Sequence, residues 1–351
     1  MEPVLPMGLK NSPATFQRIM TDVFRPVIGE FVHVFIDDIL IYSPSPTQHY
    51  KHVRRVLEIV ENNGFKVNLK KSEFSCDTID YLGFTVSAKG VHPKLSQVRA
   101  VLNMPRPEDI HQLRSFTGMC NVFRWMIPHF ADLTAPLDAL KHKGVDVKRD
   151  WKEEHEQAFL KLKKVIANDV MVYRIDWNKP IHFGCDASDV GISAYVWQLD
   201  EDNNKRPVHF WSKTLSPTQR RYPTQERECL ALVEGLKALD VYLAGREFNV
   251  YMDHKSLKYL MRARYHPKKL NNWAMEIQEY NIKDIVHIPG STNSVADALS
   301  RLPLKEFLDV SAESDDVFPS VSFDIVNATE ESNVVDDDYD YCVVHDIVRR
   351  Y

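Results

Sequence analysis

The chain has 351 residues, 44% of them apolar, with a formal net charge of -5 and five cysteines. That length suits two or three domains of about 100 to 200 residues each. No window approaches the roughly 20 apolar residues of a membrane helix, and Met1-Glu2-Pro3 opens no basic-then-apolar leader, so a soluble intracellular protein with no membrane partner is expected.

Apolar residues recur at helical spacing from Phe16 to Ile28 and lead into a strand-like run at 31–43. A second helix is expected from about His49 to Asn63, stopped by Gly64, followed by a strand pair over Phe65 to Val86. From Leu95 to Leu140 the pattern is helical, with Pro105, Pro107, Pro128 and Pro136 marking breaks between short helices. Trp151 to Ile166 reads as a further amphipathic helix. Alternation then returns in Ile181 to Cys185, Ile192 to Leu199 and Val208 to Trp211, which predicts a three-stranded meander. A long helix (about Thr224 to Leu243), a strand (Phe248 to Met252), two helices between about 255 and 280, a strand (Ile282 to Ile288) and a short helix near 294–301 complete the pattern. The cysteines Cys76, Cys120, Cys185, Cys229 and Cys342 lack the paired spacing of a zinc or redox site and read as reduced core thiols.

Charge is distributed unevenly. Residues 303–351 hold 13 Asp/Glu against 3 Lys/Arg, which leaves 41 basic against 36 acidic residues in the first 302. The body is mildly basic, as suits a polyanionic partner, and the acidic tail with Asp336-Asp337-Asp338 is expected to be disordered. Between Asp253 and Met275, the basic residues Lys255, Lys258, Arg262, Arg264, Lys268 and Lys269 interleave with Tyr259, Tyr265 and Trp273. That is a pattern for binding phosphate, or else a solvated basic helix face.

Two sets of acids stand out. Asp37 and Asp38 interrupt the apolar run from Phe31 to Tyr42, where a carboxylate is costly unless a cation compensates it or the pair forms a hairpin turn facing water. In the second half, Asp186 ends the first meander strand, Glu228 lies on the long helix, Asp253 follows Met252, and Asp297 lies on the last short helix. Gathered at one sheet edge, four such acids would repel one another unless hard cations such as Mg2+ occupied the site, an arrangement suited to phosphodiester chemistry. Singly, each also has an ordinary explanation as a turn former or a solvated helix charge.

The wording around these acids resembles gypsy-type LTR retrotransposon Pol polyproteins over about residues 1–302. The ribonuclease H part is carried by Cys185-Asp186-Ala187-Ser188-Asp189-Val190-Gly191, Tyr222 through Ala231, Asp253-His254-Lys255-Ser256-Leu257, and His287-Ile288-Pro289-Gly290 leading to Ala296-Asp297-Ala298-Leu299-Ser300-Arg301. It implies Asp186, Glu228, Asp253 and Asp297 as metal ligands and prefers Glu228 to Glu226, which lies about 200° away on a helix. In the first half, Leu5 through Gln17 resembles the palm segment lining the nucleotide pocket, and Phe35-Ile36-Asp37-Asp38 resembles the polymerase aspartate pair, Asp37 being the principal metal ligand. Gly8, Lys10 and Gln17 are then nucleotide-side residues. Gly64 through Lys71 resembles the next palm motif, with Lys70 or Lys71 as proton donor to the leaving pyrophosphate, and Tyr81-Leu82-Gly83-Phe84 resembles the primer grip.

The resemblance implies an α+β and α/β multidomain chain. Its expected parts are a partial reverse-transcriptase palm (1–90, fingers missing), a helical thumb and connection (91–179), a ribonuclease H-like mixed five-stranded sheet with flanking helices (180–302), and the acidic tail (303–351). The function it implies is hydrolysis of RNA in RNA/DNA hybrids with two Mg2+ ions per site, Mn2+ being a substitute. The polymerase site is expected to be incomplete, because the family's third palm aspartate would lie upstream of residue 1. Primer-template and hybrid nucleic acid are the implied partners, with dNTP only if palm and fingers are supplied. A homo-oligomer or assembly with other Pol products is compatible, as is a cytoplasmic virus-like particle or nuclear location. An inactive nucleic-acid-binding or structural remnant is the alternative. The chain departs from the family pattern at Met7, Trp125 and Asn271-Asn272-Trp273, and in Gly290-Ser291-Thr292, where retroviral domains carry a His after the Pro.

Overall fold

In the computed structural model, which describes residues 10–168, 170–252, 268–287, 340–344 and 348–349, helix α1 (Ser12–Phe24) begins with Pro13 in its first turn. The missing N–H has no partner to lose there. Met20 and Phe24, one turn apart, are fully buried against Val32, Ile39, Ile41 and Val56. Strands β1 (Val32–Phe35) and β2 (Asp38–Ser43) form an antiparallel hairpin in which Val32 faces Ile41 and Phe35 faces Asp38. Helix α2 (Pro46–Asn62) is capped by Ser45, whose hydroxyl accepts the Gln48 N–H, and it ends before Gly64 at φ +71°. The pair expected over Phe65 to Val86 is instead four short strands: β3 (Phe65–Lys66), β4 (Glu73–Cys76), β5 (Thr78–Tyr81) and β6 (Phe84–Ser87). The chain reverses between β5 and β6 with positive φ at Leu82 and Gly83, and Ser75 within β4 also has positive φ.

The chain divides into two compact units, Met1–Gly90 with Ser314–Tyr351, and Val91–Glu313. Within the second, β7 (Val91–Pro93) bridges to Val172 and precedes α3 (Leu95–Leu102) and α4 (Ile110–Asn121), which Asp109 caps by accepting the Gln112 N–H at 2.8 Å. A 3-10 turn at Arg124–Met126 leads to α5 (Phe130–Ala139), α6 (Val147–Asp150) and α7 (Glu153–Ala167). The Phe116 and Phe159 rings, 4.6 Å apart, join α4 to α7. Pro136, expected as a break, lies inside α5. It removes one backbone donor, while burial of Phe130 and Leu137 holds both turns on the core.

A mixed five-stranded sheet follows, built from β8 (Ile181–Ala187), β9 (Gly191–Leu199), β10 (Lys205–Thr214), β11 (Phe248–Met252) and β12 (Ile282–His287) in the order β10-β9-β8-β11-β12. The first three strands are the expected antiparallel meander; β11 runs parallel to β8, and β12 parallel to β11. Helix α8 (Pro217–Arg220) precedes α9 (Thr224–Ala238), α10 (Asp240–Leu243) follows, and α11 (Lys268–Gln278) packs on α9. The single helix expected to Leu243 thus divides at Leu239. Helix α9 lies on β8 and β9 at close range, since a Cβ on Gly235 would come 2.5 Å from Cβ of Ala194 and 3.0 Å from the Phe183 ring. Only a glycine allows that approach.

The expectation of a disordered tail is corrected at its end. Strand β13 (Asp340–Val344) pairs antiparallel with β2 and β4, and β14 (Val348–Arg349) pairs with β3. The local Tyr341-Cys342-Val343-Val344 run has the β propensity that the acidic average of the region hides. Among the described residues, no helix is long and apolar enough to cross a membrane.

Candidate functional site

Strand β8 buries Phe183, Gly184 and Cys185 and then presents Asp186, half-buried, opposite Ser193 of β9. Glu228 on α9 is only 5% exposed. Both carboxylates lie within electrostatic reach of Cys185: burial pushes its thiol well above the ordinary range, and the charges of Glu228 and then Asp186 push it further. The Tyr195 hydroxyl is raised by burial, by Cys185 and by Asp186. A carboxylate as buried as Glu228 is costly to keep ionised without a compensating charge. Helix α9 packs on β8, and the carboxylates of Glu228 and Asp186 offer hard oxygen donors, which suit Mg2+. Parallel strand β11 places Tyr251 level with Gly184 and ends at Met252. Asp253 and Asp297 lie outside the described residues. Among the described residues, no group of three or more His, Cys, Asp or Glu is placed to hold a metal.

Glu226 and Glu228 of α9 face different ways, as their spacing requires. Glu226 turns to α11, where its carboxylate meets the Lys269 ammonium at 2.7 Å. Cys229 marks that side of the helix: burial pushes its thiol up to about 12, Glu226 adding to the shift and Lys269 opposing it. Lys269 also lies over the ring of Tyr222 and 4.6 Å from the ring centre of Trp273. Lys269, expected among the nucleic-acid-binding residues, has its ammonium paired with Glu226 and joins α11 to α9. Lys255, Lys258 and Arg262 lie outside the described residues, as does the side chain of Lys268.

In the first unit, Ile36 and Asp37 form the turn of the β1–β2 hairpin, and Asp38 opens β2. Ile36 has φ +52°, a left-handed conformation that a β-branched residue rarely adopts. Gln17, expected on the nucleotide side, clamps this turn: its Oε1 accepts the Ile36 N–H at 2.6 Å and its Nε2 donates to the Val34 carbonyl at 3.2 Å. Asp37 and Asp38 are both half-buried. Asp38 sits near Tyr81, whose hydroxyl is pushed up to about 12 by burial and then by that charge. Leu82 and Gly83 form the two-residue turn of the β5–β6 hairpin with φ +51° and +84°, as a type I′ turn requires. Lys10, Lys70 and Lys71 are exposed, and Gly8 lies outside the described residues.

Arg227 was not singled out from the sequence. Its Nη1 donates to the Ser188 carbonyl at 2.8 Å and to Asp189 at 2.6 Å, fixing the turn after Asp186. The only sequence signal was its place between the two glutamates.

Comparison with known proteins matches both halves. Residues 2–86 match the family described as reverse transcriptase (RNA-dependent DNA polymerase), and residues 176–280 match the RNase H-like domain found in reverse transcriptase. Among curated relatives, the Pol polyprotein from transposon opus of Drosophila melanogaster is 35% identical over 326 residues, covering 89% of this chain and 32% of its own length. That from transposon gypsy of the same organism is 33% identical, covering 85% and 29%. The Tf2-3 polyprotein of Schizosaccharomyces pombe is 33% identical, covering 85% and 22%. The chain thus spans about a third or less of these relatives. In fold it is similar to the foamy viral protease-reverse transcriptase solved with double-stranded DNA, with a TM-score of 0.69 at 22% identity over 81% of this chain and 50% of that one. The same enzyme solved with an RNA/DNA hybrid gives 0.68 at 20% identity over 90% and 42%.

Proposed function

With a reverse-transcriptase segment and a ribonuclease H-like segment in one chain related to gypsy and Tf2 Pol polyproteins, we propose that it hydrolyses the RNA strand of RNA/DNA hybrids. The observation that carries this reading is the packing of α9, which carries the buried Glu228, on β8, which ends at the half-buried Asp186. Asp186, Glu228, Asp253 and Asp297 would hold two Mg2+ ions, with Mn2+ as substitute. Such ions, when bound, activate water and neutralise charge on the scissile phosphate. Asp186 and Glu228 offer oxygen donors from a strand and a helix already locked together by packing, so little reorganisation accompanies binding. Arg227 keeps the turn after Asp186 in place.

Asp37 and Asp38 are proposed as the polymerase pair, with Asp37 the principal ligand and Lys70 or Lys71 the proton donor. A two-metal site of the implied kind asks for a third carboxylate beside this pair. Hybrid and primer-template nucleic acid are the proposed partners, in a cytoplasmic particle or the nucleus. The test is Mg2+-dependent cleavage of a labelled hybrid by the unsubstituted chain beside Asp253→Asn and Glu228→Gln. Cleavage that disappears in both variants is expected. Cleavage no greater in the unsubstituted chain than in the variants overturns the proposal.

A further inference from the structure

The turn that follows Asp186 is supported from outside the sheet. Ser188 accepts the backbone N–H groups of Val190 and Gly191 on its Oγ at 3.1 and 2.8 Å, which uses both acceptor positions of the hydroxyl. Its own proton then has two receivers, the Gly191 carbonyl at 3.0 Å and Oδ1 of Asp132 on α5 at 2.7 Å. The shorter, charge-assisted bond to Asp132 is the stronger. Asp132 also comes close to the backbone of Gly191, where a Cβ would stand 2.7 Å from the same oxygen.

A second contact reaches the residue opposite Asp186. Ser193 faces Asp186 in the β8–β9 register, so the two side chains project on one side of the sheet. The Ser193 hydroxyl is 3.0 Å from Nδ1 of His129, which lies 3.7 Å from Oδ2 of Asp132. His129 adopts φ +50° just before α5. One strand further, Ser212 faces Ser193; its hydroxyl accepts the Ala131 N–H at 3.0 Å, and its carbonyl accepts Nη2 of Arg124 at 2.8 Å. Residues 124–132 thus contact β9, β10 and the turn after β8 at the end of the sheet where Asp186 lies.

We propose that Asp132, assisted by His129, is a positioning residue for Asp186: it fixes the Ser188–Gly191 turn from α5 and so holds the Asp186 carboxylate where a divalent cation binds. This rests on the reading of Asp186 as a metal ligand. It also makes the helical segment before residue 140 part of the ribonuclease site, although the family match for that domain begins at residue 176.

The test compares the full chain with Asp132→Ala, Asp132→Asn and Ser188→Ala, each checked for cooperative melting. Two readouts are taken: amide exchange at Val190 and Gly191, and Mn2+ affinity by electron paramagnetic resonance. Asp132→Ala and Ser188→Ala should speed exchange at least ~10-fold and weaken Mn2+ binding at least ~5-fold. Asp132→Asn keeps an acceptor for the Ser188 hydroxyl and should recover most of both. Exchange and affinity unchanged in Ser188→Ala and in whichever Asp132 variant folds overturn the inference while leaving the function reading intact. Faster exchange with unchanged Mn2+ affinity also overturns it, leaving a structural contact only. Failure of the unsubstituted chain to bind Mn2+ overturns the function reading and the positioning role with it.

Discussion

Replacing Gln17 with Leu removes both hydrogen bonds that hold the Ile36-Asp37 turn while leaving a side chain of similar size on α1. Each bond is part-buried and spans 17 or 19 residues of sequence. At about 1 kcal/mol net for each, the loss is about 2 kcal/mol, or roughly 30-fold in the population of an opened hairpin. The orphaned Ile36 N–H adds to that cost, because the left-handed backbone at φ +52° is then unsupported. The effect should be local: exchange of the Ile36 amide, measured by NMR in native buffer, should accelerate by about the same factor, and the urea midpoint of the first unit should fall. Ile36→Gly should restore part of the loss, since glycine adopts positive φ without strain. Unchanged Ile36 exchange in Gln17→Leu would refute the reasoning, as would an Ile36→Gly change that destabilises both backgrounds equally.

Three further outcomes follow from the second unit. Lys269→Met should lower stability by about 1–2 kcal/mol through loss of the Glu226 pair and the ring contacts, read by urea unfolding, with the salt dependence of hybrid binding left unchanged. His209 is held down to about 4 by burial, so the unfolded chain takes up its proton first as pH falls. The stability contribution is complete above about 6.5 and is lost between there and about 4, at most about 3 kcal/mol; His209→Gln should flatten that part of the urea-stability profile. Gly235→Ala should destabilise by about 1–3 kcal/mol despite a better helix propensity, because the new methyl meets Ala194 and Phe183; a raised melting temperature would contradict the close packing of α9.

Much of this arrangement was legible because it rests on local periodicity. Alternating apolar residues marked β8, β9 and β10, and two glutamates two positions apart on a helix had to face different directions. Contacts between distant segments left no such trace. Nothing in the spacing of Gln17 shows that it reaches a hairpin turn 19 residues on, and the engagement of Lys269 by Glu226 depends on how α11 lies on α9. Pro136 reads as a break because the cost of a lost backbone bond is local, whereas the burial of Phe130 and Leu137 that outweighs it is tertiary. The tail strand was hidden for the opposite reason: the acidic composition of the whole region outweighed a five-residue run.

The two acid sites also differ in how their backbone is supported. At the β1–β2 hairpin, the side chain of Gln17, 19 residues upstream, holds the strained turn that carries Asp37. At Asp186, support comes from three directions: Arg227 of α9 on the Ser188 carbonyl, Asp132 of α5 on the Ser188 hydroxyl, and His129 on the cross-strand serine. These contacts hold different atoms, so removing one leaves the fold supported by the others while freeing the part of the turn it held. It follows that single changes around the ribonuclease-like edge should act mildly on folding and more strongly on cation binding, while a single change at Gln17 should disturb the hairpin itself.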